Sequence, residues 1–204
     1  QKQRSIASLH QAFLKKQNKE LKVVEISSKS KQPLGVALSA FNLMIEAGEL
    51  GKKYSIESAF QSSKVFEKGG PFKDLLEADS RTAKKDERLR NSGKLIAFEY
   101  LGERWGLEPK TLFYDWLYIK ALSLEANKRL AEEIVQYDAF TDIEFNPEKS
   151  INCQARAAAL YVSLYRQGLL ERAVKDRESY MSIVKEDKED YNQLSLEDIS
   201  RNRR

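Results

Sequence analysis

The stretch Tyr54–Lys68, YSIESAFQSSKVFEK, decides how the rest of the chain is read. Glu57, Gln61 and Lys64 follow one another at spacings of four and then three residues, which on a helix places them on one narrow face. Ile56, Ala59 and Phe60 fall on a different face. One side of the segment is therefore expected to bury while a carboxylate, an amide and an amine converge on the other. Ser55 carries the hydroxyl of an N-cap. Gly69-Gly70-Pro71 supplies a stop, a glycine free to turn left-handed followed by a residue that cannot continue a helix. By spacing alone the polar face reads first as a solvated one, and the surrounding pattern has to distinguish the two.

Working outward, 204 residues with 41% hydrophobic and 10% aromatic content suit one well-buried domain, or two small ones. No apolar run approaches the ~20 residues of a membrane span. The polar, basic first residues have no apolar stretch behind them, so no signal peptide is read and a cytoplasmic location is expected. Thirty-five basic against 31 acidic residues leave a net charge of +4, compatible with a phosphate-bearing partner without demanding one. The single cysteine, Cys153, excludes an internal disulfide and fits a reducing compartment. With one histidine, His10, and one cysteine the chain cannot build a His/Cys zinc cluster. A Ser-His-Asp or Cys-His arrangement would have to draw on His10 alone, in an expected amphipathic helix. No GxxxxGK[ST] or GxGxxG phosphate loop occurs. No metal or cofactor is expected, and any catalysis falls to carboxylates and lysines.

Ser5–Lys16 places Ile6, Leu9, Ala12 and Phe13 at helical spacing, and Leu21–Ser27 alternates as a strand. Leu34–Ile45, LGVALSAFNLMI, predicts a buried strand, or one bent at Ser39-Ala40, and Glu46–Lys53 a hairpin loop around Gly48 and Gly51. Beyond the deciding stretch, Pro71–Ala78 reads as a short helix with Pro in its first turn. Ser80–Asn91 reads as a charged surface helix capped by Ser80, and Lys94–Leu101 as a strand. Pro109 opens a helix from Lys110 to about Glu125 with Leu112, Phe113, Trp116, Leu117 and Ile119 inward. A second helix, Ala126–Gln136, and an extended segment, Asp138–Phe145, follow. Ser150–Gln167, Ser-capped, alanine-rich and stopped by Gly168, is the strongest helix signal, and Leu169–Val184 reads as helical again. The expected class is α+β, a single mostly helical domain over residues 1–184 with a small sheet. The charged tail, 185–204, is expected to be exposed or partly disordered.

Four stretches together resemble the NADAR family, the fold of N-glycosidases and ADP-ribose-removing hydrolases. LSAFN, Leu38–Asn42, is similar to the family's LSNFY-like segment, and YSIESAFQSSK, Tyr54–Lys64, to its Y-x-[ST]-x-E-x-x-x-Q-x-x-K helix. Ala40 stands where the family carries Asn, with Asn42 two residues on. Ala83-Lys84 followed by Arg88 resembles the Ala-Lys pair of a basic helix. Trp116 and then Asn127–Leu130 resemble a tryptophan helix ahead of an N-x-x-L helix, and Phe140–Glu144 with Asn152 an acidic segment leading to a final helix. The family's W-G-x-G element is absent, and NPEKSINCQARAAA stands in its place. The runs QKQ-SIASLH, EISSKS, ESAFQSSKVFE, EPKT-FYDWLYI and YDAFTDIEFNPEKSINCQARAAAL are more specifically similar to NADAR antitoxins paired with DarT-type toxins, over most of residues 1–175.

This resemblance implies a hydrolase that removes ADP-ribose from guanine in DNA and so reverses a DarT-type toxin. Its partners are then ADP-ribosylated DNA, ADP-ribose and the cognate toxin. The resemblance also implies a lysine-dependent route through a Schiff base, with Lys64 the lysine by motif position. Glu57 would orient the ribose hydroxyls or act as acid/base, with Gln61 a positioning group between them. Tyr54, which opens the motif, and Asn42 are carried as substrate-binding. Asp142 and Glu144 alternate with Phe140, Ile143 and Phe145, so they read either as carboxylates facing a cleft or as a charged strand edge. Asn152 and Gln154 stand where a helix N-terminus favours a pyrophosphate or simply needs a cap. Arg88, with Arg81, Lys84 and Lys85, reads as a DNA-phosphate cluster or a solvated face, and Trp116, with Phe113 and Tyr114, as core or as a base-stacking shelf. Two other functions are open: an N-glycosidase acting on a small phosphorylated metabolite, and a non-catalytic antitoxin that sequesters the toxin through the tail beyond Lys185.

Overall fold

A computed structural model describes residues 1–17, 20–47, 52–146 and 152–185. The class is α+β, and the chain divides into two compact units, Gln1–Ser163 and Leu164–Arg204. The charged tail, from residue 186 onward, lies outside the described residues. Among those described, no helix is long and apolar enough to cross a membrane.

In the first unit, helix α1 (Lys2–Gln17) buries only Ile6. It is held at His10, whose ring nitrogen lies 2.9 Å from Thr141 Oγ1. Strand β1 (Val23–Glu25) pairs in parallel with β7 (Ala139–Thr141), Val24 opposite Phe140. The buried Glu25 extends that ladder, accepting from Thr141 Oγ1 and, at 2.8 Å, from the Ile143 N–H.

The expectation of a buried strand over the apolar run 34–45 is corrected. Its first part is a helix, α2 (Pro33–Ala37), with Pro in the first turn, and Ser39 Oγ closes it by donating to the Val36 carbonyl at 2.7 Å. Only then does strand β2 (Met44–Ala47) begin, pairing antiparallel with β3 (Lys52–Ser55). A continuous apolar run does not by itself separate buried helix from buried strand. The tip of the expected hairpin, residues 48–51, lies outside the described residues.

The deciding stretch is corrected as well. Its helix, α3, runs only from Ile56 to Ser62, and Lys64–Phe66 is strand β4. The hydroxyls of Ser62 and Ser63 both turn back to the Ala59 carbonyl, at 2.9 and 2.6 Å, offering the backbone an alternative to another helical turn. The helix therefore stops at Ser63 rather than at Gly69-Gly70-Pro71, which instead follows the turn after β4, Gly69 closing that turn by bridging to Phe66. β4 pairs antiparallel with β5 (Leu95–Tyr100), Lys64 opposite Phe98, and β6 (Glu103–Trp105) completes the sheet. β6 was not read from the sequence, because ERW carries a single apolar residue.

Residues Lys73–Leu76 form a 3-10 turn in place of a Pro-started α-helix. The charged helix divides into α4 (Ser80–Lys85) and α5 (Arg88–Asn91). Its cap is Asp79, whose carboxylate accepts from the Arg81 and Thr82 N–H groups, while the expected cap, Ser80, turns inward. Helix α6 (Leu112–Leu122) is buried on every side except at Lys120, as its mostly apolar sequence dictates, and its one buried carboxylate, Asp115, is paired with Arg156. Around it Phe98 stacks on Phe113 at 4.8 Å and Trp105 packs on Trp116 at 4.8 Å. Helix α7 (Lys128–Ile134) follows a 3-10 turn at Glu125–Asn127. Helix α8 (Gln154–Arg166) is tied to α6 by Arg156, which donates to Asp115 and, at 2.6 Å, to Thr111 Oγ1. Its expected cap, Ser150, lies outside the described residues.

In the second unit the expected helix 169–184 breaks at Asp176. Helix α9 (Leu170–Lys175) precedes it and residues 177–185 are helical after it, the Asp176 carboxylate accepting from the Ser179 N–H at 2.8 Å.

Candidate active site

Ser55 begins the site. Its Oγ accepts from the Ser58 N–H at 3.0 Å, capping α3 as expected. Ser80 Oγ, at the start of α4, bridges Ser55 Oγ and the Phe41 carbonyl at 2.7 and 2.9 Å. This hydroxyl link sets the two short helices against each other. Two residues on, Glu57 is buried, and its N–H donates to the Ala40 carbonyl at 2.9 Å. Glu57 Oε1 accepts from Gln61 Nε2 at 2.8 Å and lies 3.5 Å from Lys84 Nζ. A carboxylate only accepts, so the Gln61 amide is fixed with its nitrogen toward Glu57. Gln61 Oε1 is left buried with no donor among the described residues. The face that spacing read first as solvated is therefore buried.

Lys64 joins this pair by a route the helical spacing did not foresee. It is the first residue of β4, one residue past the helix cap Ser63, and its Nζ lies 4.9 Å from the centroid of the Phe60 ring. Burial pushes its amine down to about 8; Glu57 opposes that shift and Lys84 adds to it. Gly70, at φ +86°, seats so closely on the Lys64 carbonyl that a Cβ there would lie 2.3 Å from it, so the strand end that carries Lys64 is held by a contact only glycine permits.

Asp142 follows β7. Its Oδ1 accepts from the Glu144 and Phe145 N–H groups at 3.0 and 3.1 Å, and its Oδ2 from Gln154 Nε2 at 3.2 Å. Burial pushes this carboxyl upward and the Gln154 bonds draw it back. Gln154 Oε1 accepts from the Ala40 N–H at 2.6 Å. The two peptide groups of Ala40 thus connect Asp142, through Gln154, to the backbone of Glu57. At Ala40 only backbone atoms take part in these bonds. Tyr114, on α6, packs edge-on against Phe60 at 5.3 Å within the field of both Glu57 and Asp142. Burial first, and those carboxylates after it, hold its phenol well above the ordinary value.

The structure thus brings together Glu57, Gln61 and Lys64, and links Asp142 to them through Gln154 and Ala40. Glu144 is exposed and ion-paired with Lys2 of α1. Asn42 closes the turn after α2, its Nδ2 donating to the Val36 carbonyl at 2.9 Å. Tyr54 is buried with its hydroxyl 2.9 Å from that of Tyr100, beside a shallow pocket of about 340 Å³ lined also by Lys52, Lys53 and Lys73. Trp116 sits in the aromatic core against Trp105 and Tyr100 rather than forming a shelf. Arg88 is engaged by both Asp74 and Asp86, with Phe72 beneath it, and those ion pairs answer the charge that a DNA phosphate would need. Asn152 is half-buried just ahead of α8. Among the described residues, no group of three or more His, Cys, Asp or Glu converges as metal ligands.

The sequence reading placed Lys84 in a family-like Ala-Lys pair and in a DNA-phosphate cluster or solvated face, and passed over Phe41, whose ring centroid lies 5.1 Å from Lys84 Nζ. Both lie inside quoted motifs, yet no periodicity relates positions 41, 57 and 84. A family model described as DarT1-associated NADAR antitoxin matches residues 1–194. No curated protein matches the chain.

Proposed function

The chain belongs to the family of DarT1-associated NADAR antitoxins, and from that premise we propose that it removes ADP-ribose from guanine in DNA through an imine on Lys64. The observation that carries this reading is an amine held near pKa 8 beside a buried carboxylate. Only a free amine attacks carbon, and a value near 8 leaves roughly a tenth of the molecules with one at pH 7.

Opening of the ribose ring breaks the C1–O4 bond, the ring oxygen keeping the electron pair and taking a proton from solvent to become a hydroxyl, and leaves C1 doubly bonded to the base nitrogen, with positive charge shared between them. The Lys64 amine adds to C1, and the base departs with one proton, leaving C1 joined to Lys64 as a protonated imine. Water then adds to C1, the C–N bond to Lys64 breaks, and the sugar aldehyde recloses. Glu57 stabilises the positive charge at C1 and carries the proton lost when Lys64 adds. Gln61 fixes the orientation of that carboxylate. Asp142, which burial keeps protonated to higher pH than an ordinary carboxyl, supplies the proton that the departing base takes. The toxin opposed is accordingly one that attaches ADP-ribose to DNA.

The test is DNA carrying ADP-ribose on guanine, incubated with the protein while release of the sugar nucleotide is followed, with borohydride added to trap the imine. Wild type is expected to release ADP-ribose and to yield an adduct on Lys64. Lys64→Ala and Glu57→Gln are expected to lose at least a hundredfold in rate, on the scale of general acid–base and nucleophilic contributions. Release that persists in Lys64→Ala moves the chemistry to the carboxylates. No release by wild type overturns the reading.

A further inference from the structure

Two lysines lie within the field of one carboxylate at this site, Glu57, and only Lys84 forms an ion pair with it. Lys84 Nζ stands 3.5 Å from Glu57 Oε1 and over the Phe41 ring, while Lys64 Nζ lies over the Phe60 ring. Glu57 is buried and Lys84 is about half exposed, so the charge that satisfies the buried carboxylate comes from the solvent side. One negative charge cannot neutralise two ammonium groups, and the lysine more completely removed from water is the one that gives up its proton. Lys84 does not reach Glu57 by chance of a flexible arm alone. It projects from a helix fixed at its first turn by Asp79 and by the Ser80 hydroxyl bridge to Ser55 and Phe41.

We propose that Lys84 is a positioning residue of this site: seated on Phe41 and against Glu57, it occupies the carboxylate that would otherwise hold Lys64 as an ammonium ion. This rests on Lys64 being the nucleophile assigned above. The other groups around Lys64 do not substitute for it. Tyr114 on α6 stays neutral through burial. Glu99 on β5 neighbours Phe98, the partner of Lys64, and so points to the opposite face of the sheet, across from Arg104. That leaves Glu57 on α3 and Lys84 on α4 as the two charges acting on the Lys64 amine.

The experiment needs no substrate. The full chain is treated with formaldehyde and cyanoborohydride over a pH series, and methylation of Lys64 is read by peptide mass spectrometry in wild type, Lys84→Ala and Lys84→Arg. The midpoint for Lys64 is expected near 8 in wild type. It should rise by about one pH unit in Lys84→Ala, a modest shift because the lost charge is half exposed, and return in Lys84→Arg. On ADP-ribosylated DNA, Lys84→Ala should turn over roughly tenfold more slowly at pH 7 and recover at higher pH, a displacement of the pH profile that a merely structural role would not give. An unchanged Lys64 midpoint in Lys84→Ala overturns the proposal, as does a failure of arginine to restore it. A shifted midpoint in a protein that releases no ADP-ribose would leave the role of Lys84 standing and overturn the function assigned to the site.

Discussion

At pH 7 an ordinary lysine presents roughly one free amine in three thousand, and Lys64 about one in ten, a difference set by its surroundings. The same surroundings work against the fold. Lys64 is protonated in the unfolded chain up to its ordinary value of 10.5 but in the folded chain only to about 8. Its burial therefore costs stability fully below pH 8, and the cost is relieved as pH rises from there to 10.5. Lys64→Met should thus stabilise the fold at pH 7 by on the order of 2 kcal/mol, seen as a higher thermal midpoint, while abolishing turnover. The gain over wild type should shrink between pH 8 and 10.5, which calorimetry across that window checks. At this scale the sequence was informative about identity and silent about environment. Glu57, Gln61 and Lys64 could be named from a motif, but the Phe60 ring under Lys64 and the second lysine on Glu57 depend on packing that no spacing encodes.

Helix α3 is two turns long, and a helix so short holds its form through its ends and its neighbours rather than through propensity. Ser55 carries that load, capping Ser58 while bonding Ser80 of the adjoining helix. Ser55→Ala is expected to cost about 1–2 kcal/mol, the upper range for a cap, because two further hydroxyls lose a partner. It should also loosen the distance between Glu57 and Lys84. Denaturant unfolding gives the first quantity, and the Lys64 methylation midpoint reports the second. The cap was legible in YSIES, but the helix end was not. Glycine and proline at 69–71 drew the stop six residues too late, at Gly69 rather than Ser63, whereas two serine hydroxyls folding back on Ala59 ended it. Likewise LGVALSAFNLMI held a helix, a turn and a strand that its continuous apolarity concealed.

Over the whole molecule, the site is assembled from segments far apart in the chain, and its frame depends on close approaches between backbones. Gly35 of α2 packs on β1, where a Cβ would lie 1.9 Å from the Glu25 carbonyl oxygen. The side chain of Glu25 in turn holds Thr141 and Ile143 on either side of Asp142. Gly35→Ala should therefore destabilise the protein by about 3 kcal/mol, at the high end for overpacking because the obstructing atom is backbone. It should impair turnover beyond the loss of folded protein, measured as activity per folded molecule after denaturant titration. The α+β class and most of the longer helices could be read from periodicity, whereas the parallel pairing of β1 with β7 could not, since nothing local joins residues 23–25 to 139–141. Within that long-range assembly one junction is entirely local. The single residue Ser63 separates the helix that ends at Ser62 from the strand that starts at Lys64, and its carbonyl is already bonded to the Glu99 N–H at 2.7 Å. In the language of reading frames, this is the place in the gene where even one inserted codon would part the carboxylate from the amine, so that variation in length has to accumulate elsewhere.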